Sequence, residues 1–421
     1  MSLCAKTTLD FQKISSRRIL VCSTGGVPHR TLGASTVIFF NYLEQLKLRG
    51  FEVLHLLVVD AKNENAAVLA EYQKDLAEEG RFKVLVAKMK SLEQLSLSKK
   101  IKFGVLSENV IQQLKKFNPE IIFCLDITAA GVLRNYLQEQ TKPKIIWLGD
   151  LRFQTAWYHL VYSIKEDWRN IIHFPPVWLV SRNWPVVYQQ LLRLFNSVIV
   201  SSQSSEEQLK PLGINSFYLP YPWPTNPAAK SQITKIKKPQ RPTFLFLGTL
   251  VALGSRSAFH FFLQEVYPSL VKIWGGGGFQ ILLCGSHGLP DWVKKDLADK
   301  PEIKYLGFVK DLEGLMAACH AVIVPIDVPV GNRSRIITAM AAGSLVIAHQ
   351  NTALGNPDLV DGENCYLAHD GPGFVAKMKL AFDDQDEAGA LVEKAKQLYC
   401  EKFEPEAAVD SLIKEIVKIS E

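Results

Sequence analysis

Ile323-Val324-Pro325-Ile326-Asp327-Val328-Pro329-Val330-Gly331-Asn332-Arg333-Ser334-Arg335-Ile336-Ile337-Thr338-Ala339-Met340-Ala341-Ala342-Gly343 reads as the end of a strand, a loop and a helix. The apolar run stops at Pro325, and a loop bearing Pro329 and Gly331 follows. Arg333 and Arg335 then open a segment of good helix formers. The first turn of a helix carries unpaired backbone N–H groups and partial positive charge. Two arginines there make a site suited to a phosphate or diphosphate. After Gly343 the apolar run Leu345 to Ala348 reads as the next parallel strand. The loop therefore lies at the carboxyl end of a strand, where open α/β sheets bind ligands. Loop arginines are also commonly solvated, so the flanking sequence has to decide.

Upstream, Phe244 to Leu247, Gln280 to Cys284, Ile303 to Leu306 and Ala321 to Val324 are strands, with helices between them. A helix is expected from Arg256 to Ile273, and mostly helical structure from Pro372 to Ile419. The first half repeats the scheme. Arg18 to Cys22, Glu52 to Val59, Phe82 to Val86, Ile121 to Leu125, Ile145 to Leu148, Ser197 to Val200 and Ser216 to Leu219 are apolar strand segments. Strands alternating with helices predict doubly wound parallel sheets. Ser204, three residues before Glu207, is expected to cap a helix. Residues 1–16 read as a poorly ordered lead-in. The proline- and lysine-rich stretch from Tyr221 to Pro242 reads as a linker. The expected domains are thus 1–220, a linker at 221–242, a second domain at 243–400, and a C-terminal helix at 401–421.

At 421 residues the chain is long enough for two domains of about 200 residues each. No apolar run approaches the ~18–20 residues that span a bilayer, and the N-terminus shows no signal-peptide core. The seven cysteines lack CxxC spacing. They read as reduced, mostly buried thiols, with neither a disulfide framework nor a zinc site, and suggest a cytoplasmic protein. Residues 1–220 hold 27 Lys and Arg against 19 Asp and Glu, so the basic excess lies in the first half. That excess suits a phosphorylated partner, an anionic membrane surface at which the protein sits peripherally, or simple solvation. The basic residues are dispersed and no nucleic-acid-binding motif is present, so no nucleic-acid partner is expected.

Two further places stand out in the first half. Gly25-Gly26 follows a strand without GxGxxG spacing, which argues against a dinucleotide cofactor; the tight turn still lets backbone approach a phosphate. Asp150 ends the strand Ile145 to Leu148, as a carboxylate facing the crevice or as a helix N-cap. Between Arg152 and Trp184 lie Trp157, Trp168, Trp178 and Trp184, with Tyr158, Tyr162, His159, His173 and basic neighbours among them. They either touch an acceptor or lipid surface or pack as a helical subdomain.

In order and spacing, several segments resemble the GT-B fold retaining glycosyltransferases of glycosyltransferase family 4. These are Phe246-Leu247-Gly248-Thr249-Leu250, Leu282-Leu283-Cys284-Gly285, Gly307-Phe308-Val309-Lys310-Asp311-Leu312, Val324-Pro325, Gly331 through Gly343, and Gly355 through Asn364. Thr24-Gly25-Gly26 resembles that family's N-terminal glycine loop. The resemblance implies an α/β fold of GT-B type, with two Rossmann-like domains whose parallel sheets face across a cleft. It implies a retaining transferase with no cofactor beyond a nucleoside-diphosphate sugar donor, and, since no carboxylate cluster in the sequence suggests a metal, metal-independent transfer is expected. Gly25, Gly26, Gly248, Phe308, Val309, Gly331, Asn332, Arg333, Arg335 and Thr338 would contact the donor. Phe308 and Val309 would border the base. The N-terminal domain would take a glycan, lipid-linked or small-molecule acceptor, with Asp150 its catalytic candidate, and the C-terminal helix would pack back across the cleft.

The chain departs from the family pattern where two glutamates are usual, having Val330 and Thr338 instead. That departure keeps a second reading open, a noncatalytic GT-B partner that binds a nucleotide sugar or supports another transferase. A third, a nucleotide-sugar-processing enzyme of the same fold such as an epimerase or a phosphorylase, remains beside them. No cofactor lysine for a phosphorylase can be placed.

Overall fold

The computed structural model describes residues 17–61, 66–77, 80–95, 101–225, 238–285, 288–331 and 333–421. The expected lead-in at 1–16, most of the linker and Asn332 lie outside the described residues. The chain divides into two compact units. The N-terminal unit takes in the described residues of Ala5–Trp157, Ile172–Pro224 and Phe403–Glu421. The C-terminal unit takes in those of Tyr158–Ile171 and Thr225–Lys402.

In the N-terminal unit the strands are β1 (Arg18–Thr24), β2 (Glu52–Asp60), β3 (Phe82–Met89), β4 (Glu93–Leu95), β5 (Ile101–Phe103), β6 (Ile121–Cys124), β7 (Lys144–Leu148), β8 (Ser197–Val200) and β9 (Phe217–Tyr218). Seven of them form one parallel sheet in the order β3-β2-β1-β6-β7-β8-β9. The centre of the sheet is dry. Ile19 to Cys22 and Ile121 to Cys124 have no exposed surface, as apolar strands covered by helices on both faces should. Within the same unit the last helix, Pro405–Ser420, packs on the helix Ala34–Leu48. Arg49 ties the two together, donating through Nε to Asp410 at 2.7 Å and through Nη2 to the Glu406 carbonyl at 2.8 Å.

The C-terminal unit holds β10 (Thr243–Leu247), β11 (Gln280–Cys284), β12 (Ile303–Gly307), β13 (Ala321–Val324), β14 (Val346–His349) and β15 (Tyr366–Ala368). These also form one parallel sheet, in the order β12-β11-β10-β13-β14-β15. Both sheets therefore reverse direction once, between β1 and β6 and between β10 and β13. At such a switch point the loops leave the strand ends in opposite directions and open a crevice.

Several local expectations shift. The antiparallel pair β4–β5 and the edge strand β15, three residues each, are not expected from the sequence, and β9 is shorter than expected, at Phe217–Tyr218. The cap of helix Gln203–Leu209 is Ser202, whose hydroxyl accepts from Ser205 N at 3.2 Å. Ser204 lies inside that helix, and Glu207, its expected partner, accepts from Gln203 Nε2 at 3.3 Å. The helix expected from Arg256 begins earlier, at Leu253, and passes through a π turn at Phe262–Val266 before ending at Trp274. Tyr158–Ile171, assigned by sequence to the first domain, groups with the C-terminal unit. Of the aromatic-rich stretch, Tyr162 and Trp184 are buried, whereas Trp157, Trp168 and Trp178 are exposed. Among the described residues Cys22, Cys124, Cys284, Cys319 and Cys365 are buried free thiols and Cys400 a half-buried one. Among the described residues no helix is long and apolar enough to cross a membrane.

Candidate functional site

The switch point of the C-terminal unit is where the predicted anion-binding residues meet. β10 ends at Leu247, and Gly248 N closes onto the Cys284 carbonyl at 2.9 Å. The chain then turns through Leu250, a bulky residue held at φ 56° with its side chain buried. Left-handed backbone is costly for such a residue, and such strain gathers at functional turns. The helix Leu253–Phe261 starts from Ala252 without a side-chain cap. Across the switch point, the loop after β13 passes Gly331, at φ 78°, and enters the helix Ser334–Ala341 from Arg333, again with no side-chain cap. Two helix N-termini thus open at the carboxyl ends of neighbouring strands.

Both arginines point into this corner. Arg335 Nη1 donates to the Leu247 carbonyl at 2.5 Å and Nη2 to Ser255 Oγ at 3.0 Å. A Cβ placed on Gly248 would stand 3.1 Å from Arg335 Nη1, so the absent side chain makes room for the guanidinium. Arg333 is buried, donates through Nη2 to the Val328 carbonyl at 2.8 Å, and passes beside Gly254. Its backbone N–H is fixed by Asn356 Oδ1 at 3.2 Å. Burial and the adjacent charge of Arg333 push the Arg335 pKa down to about 10. Both acceptors that hold Arg335, the Leu247 carbonyl and Ser255 Oγ, are neutral, so neither offsets its positive charge. An anion bound there would relieve the repulsion between the two guanidiniums.

The other donor candidates are placed less closely. Gly307, at φ 67°, ends β12, and Phe308 and Val309 follow it at the same edge of the sheet, two strands from β10. Phe308 is 75% exposed, an open apolar face. Gly285 joins these strand ends, because a Cβ there would meet the Gly248 carbonyl oxygen at 2.5 Å. Thr338 lies one turn into its helix and donates its hydroxyl to the Ser334 carbonyl at 3.0 Å. Val330 is buried. Gly25 and Gly26 belong to the N-terminal unit, in the turn that leaves β1.

Two carboxylates escaped the sequence reading. Asp126 follows β6 at the switch point of the N-terminal unit. It accepts from Thr24 N at 3.1 Å, from Thr24 Oγ1 at 2.9 Å and from Ala129 N at 2.6 Å. Burial pushes its carboxyl above the ordinary range, against those hydrogen bonds. Asp150 lies one strand further out, exposed after β7. The second missed carboxylate, Asp327, sits in the quoted stretch itself. Its Oδ1 accepts from Tyr162 OH at 2.5 Å, and its backbone carbonyl accepts from Asn351 Nδ2 at 2.6 Å. The ring of His349 fixes that turn in place. Its Nδ1 accepts from Asn351 N at 3.1 Å, and its pKa is lowered chiefly by burial. A signal for Asp327 was present, an acidic residue one loop from two arginines; Asp126 had none beyond ending an apolar run. Among the described residues no group of three or more His, Cys, Asp or Glu side chains is placed to hold a metal ion.

Residues 241–384 match the sequence profile of a family described as Glycosyl transferases group 1, a span that takes in β10 through β15. No curated protein matches the chain. Solved structures match it over nearly its whole length. HepE of Anabaena in complex with UDP is 15% identical with a TM-score of 0.65, covering 95% of this chain and 100% of that one. Sucrose-phosphate synthase of Thermosynechococcus elongatus is 15% identical with a TM-score of 0.64, covering 96% and 100%. A glycosyltransferase of Rickettsia africae is 14% identical with a TM-score of 0.66, covering 96% and 98%. At these identities the likeness concerns the fold, two parallel-sheet Rossmann-like domains of the GT-B type.

Proposed function

We propose that the chain is a glycosyltransferase that moves a sugar from a nucleoside-diphosphate donor to a glycan or lipid-linked acceptor, with retention of configuration. The observation that carries this reading is the pair of guanidiniums at the β10–β13 switch point, within the segment that matches the transferase profile. HepE, of the same fold, has been crystallised with UDP-glucose. As the bond between sugar and diphosphate breaks, negative charge grows on the leaving oxygen. Arg333, Arg335 and the two uncapped helix starts are fixed before that charge appears, so they stabilise it without reorganising. Gly248 and Gly331 let backbone approach the phosphates. Phe308 offers its exposed ring to the base.

The experiment is a calorimetric titration of the full chain with UDP, GDP and ADP, followed by incubation with the matching nucleotide sugars. Binding of a nucleoside diphosphate and release of it from a nucleotide sugar are expected. Failure of every diphosphate to bind overturns the reading. Val330 and Thr338 favour a second reading, a noncatalytic nucleotide-sugar binder. One is buried and apolar, and the other donates its hydroxyl to its own helix. Tight binding without hydrolysis or transfer across acceptors would select it.

A further inference from the structure

The helix Phe174–Leu192 of the N-terminal unit is two different objects along its length. Its second half buries Trp184, Tyr188, Leu191 and Leu192 in the core. Its first half carries large apolar groups into solvent, Phe174 41% and Trp178 43% exposed, and Ile172 in the 3-10 turn just before it is 71% exposed. Trp157, 40% exposed, joins them, its ring 6.1 Å from that of Phe174 in an edge contact. Pro175 and Pro176 rigidify the first turn. Soluble proteins rarely gather exposed aromatics in this way without a partner.

Charge identifies the partner. From Ile172 to Ser205 the sequence holds no Asp or Glu, while Arg182 and Arg193 lie within it. Arg182 lies over the Trp178 ring at 5.3 Å, so a cation and an indole share one place on the surface. Tryptophan favours the interface between headgroups and acyl chains, and arginine beside it reaches lipid phosphate. A second copy of this chain would bring Arg182 against like charge, with no acidic residue in the segment to answer it. We propose that Trp157, Ile172, Phe174 and Trp178 insert shallowly into an anionic lipid surface, with Arg182 binding the headgroups. The proposal rests on this unit alone and stands independently of the donor site.

The test uses the full chain and two vesicle preparations, pure phosphatidylcholine and phosphatidylcholine with a quarter phosphatidylglycerol. Sedimentation with the anionic vesicles is expected at low salt, and weaker binding to the neutral ones. The double variant Phe174→Ala, Trp178→Ala should lose affinity by at least about tenfold, since each removes a buried aromatic contact from the bound state. Arg182→Glu, which keeps the apolar face, should lose about fivefold or more, on anionic vesicles only. All three side chains are exposed, so circular dichroism and the melting temperature should stay at the wild-type values. Equal sedimentation of wild type and double variant overturns the proposal, as does wild-type protein that ignores anionic vesicles at low salt. So does a concentration-dependent dimer, seen by sedimentation velocity, that the double variant abolishes while lipid binding is absent.

Discussion

Gly248 and Arg335, 87 positions apart in the chain, are packed so closely that a methyl group on the glycine would stand 3.1 Å from the guanidinium and 2.5 Å from Ser255 Oγ, which holds it. The glycine is therefore part of how the arginine is aimed. Gly248→Ala should leave the fold standing, with a loss of about 1–3 kcal/mol from overpacking. It should weaken nucleoside diphosphate binding by about tenfold, as one misplaced charge-assisted hydrogen bond would. Chemical denaturation and calorimetry on the same sample separate the two effects. Unchanged affinity would mean that Arg335 does not reach the ligand.

Truncating the arginines tests the site directly. Hydrogen bonds to charged groups contribute about 1.5–3 kcal/mol each. Arg335→Ala and Arg333→Ala should each weaken UDP, GDP or ADP binding by about tenfold to a hundredfold. Arg335→Lys should fall between wild type and alanine, because it keeps the charge and loses the planar fork. Because Arg335 is held by the Leu247 carbonyl and Ser255, its alanine variant should also unfold somewhat earlier. Arg335→Lys with the affinity of alanine would show that geometry rather than charge decides.

Asp126 should matter for stability in the N-terminal unit. It satisfies Thr24 N and Ala129 N, which flank the β1–β6 switch point. Asp126→Ala leaves both donors without their acceptor and should cost about 1–3 kcal/mol. Asp126→Asn keeps one carbonyl oxygen and should cost less. A urea titration of both variants would show it; equal midpoints for alanine and wild type would remove the switch-point role.

His55 gives a pH dependence with a fixed sign. It is fully buried between Ser23 Oγ, 2.9 Å from Nε2, and Tyr72 OH, 2.6 Å from Nδ1. Burial lowers its pKa to about 3, against about 6.5 in an unfolded chain. Below pH ~6.5 the unfolded chain takes up a proton that the native ring refuses. The stability is thus complete above pH ~6.5 and is lost as the pH falls toward 3, by up to about 1.4 kcal/mol per pH unit. Urea midpoints of the N-terminal unit at neutral pH and near pH 5 should differ more in wild type than in His55→Gln. Parallel pH dependences would exclude His55 as the cause.

What the sequence showed and what it hid divide along physical lines. Most of the eleven sheet strands of four residues or more are legible because strands buried on both faces are written as unbroken apolar runs, such as Ile19 to Cys22 and Ile121 to Cys124. The strand, loop and helix start around Gly331 to Arg335 are legible because proline, glycine and arginine each have a local meaning. The burial of Arg335 against Leu247 is not, since it depends on two strands being neighbours in space. For the same reason Asp150 drew attention and Asp126 did not. The bonds that mark Asp126 come from Thr24, which is distant in sequence. Ser202 and Ser204 lie two residues apart in a serine-rich turn, and only backbone geometry separates the true cap, Ser202, from its neighbour. That Tyr158–Ile171 joins the C-terminal unit rests on contacts such as Tyr162 with Asp327 and Glu166 with Arg256. No periodicity reports such pairs.

The turn after β14 bears on the loop after β13. A Cβ on Gly355 would lie 2.3 Å from the Gly331 carbonyl oxygen, Asn356 holds Arg333 N, and Asn351 holds the Asp327 carbonyl. Two hydrogen bonds and one close backbone approach make the two loops one mechanical piece. Much of the conformational freedom that a glycine- and proline-bearing loop would surrender on meeting a ligand is already gone when the domain folds. Under the proposed function, a ligand at Arg333 and Arg335 would meet a socket rather than a strap, and its affinity would depend on fit more than on ordering.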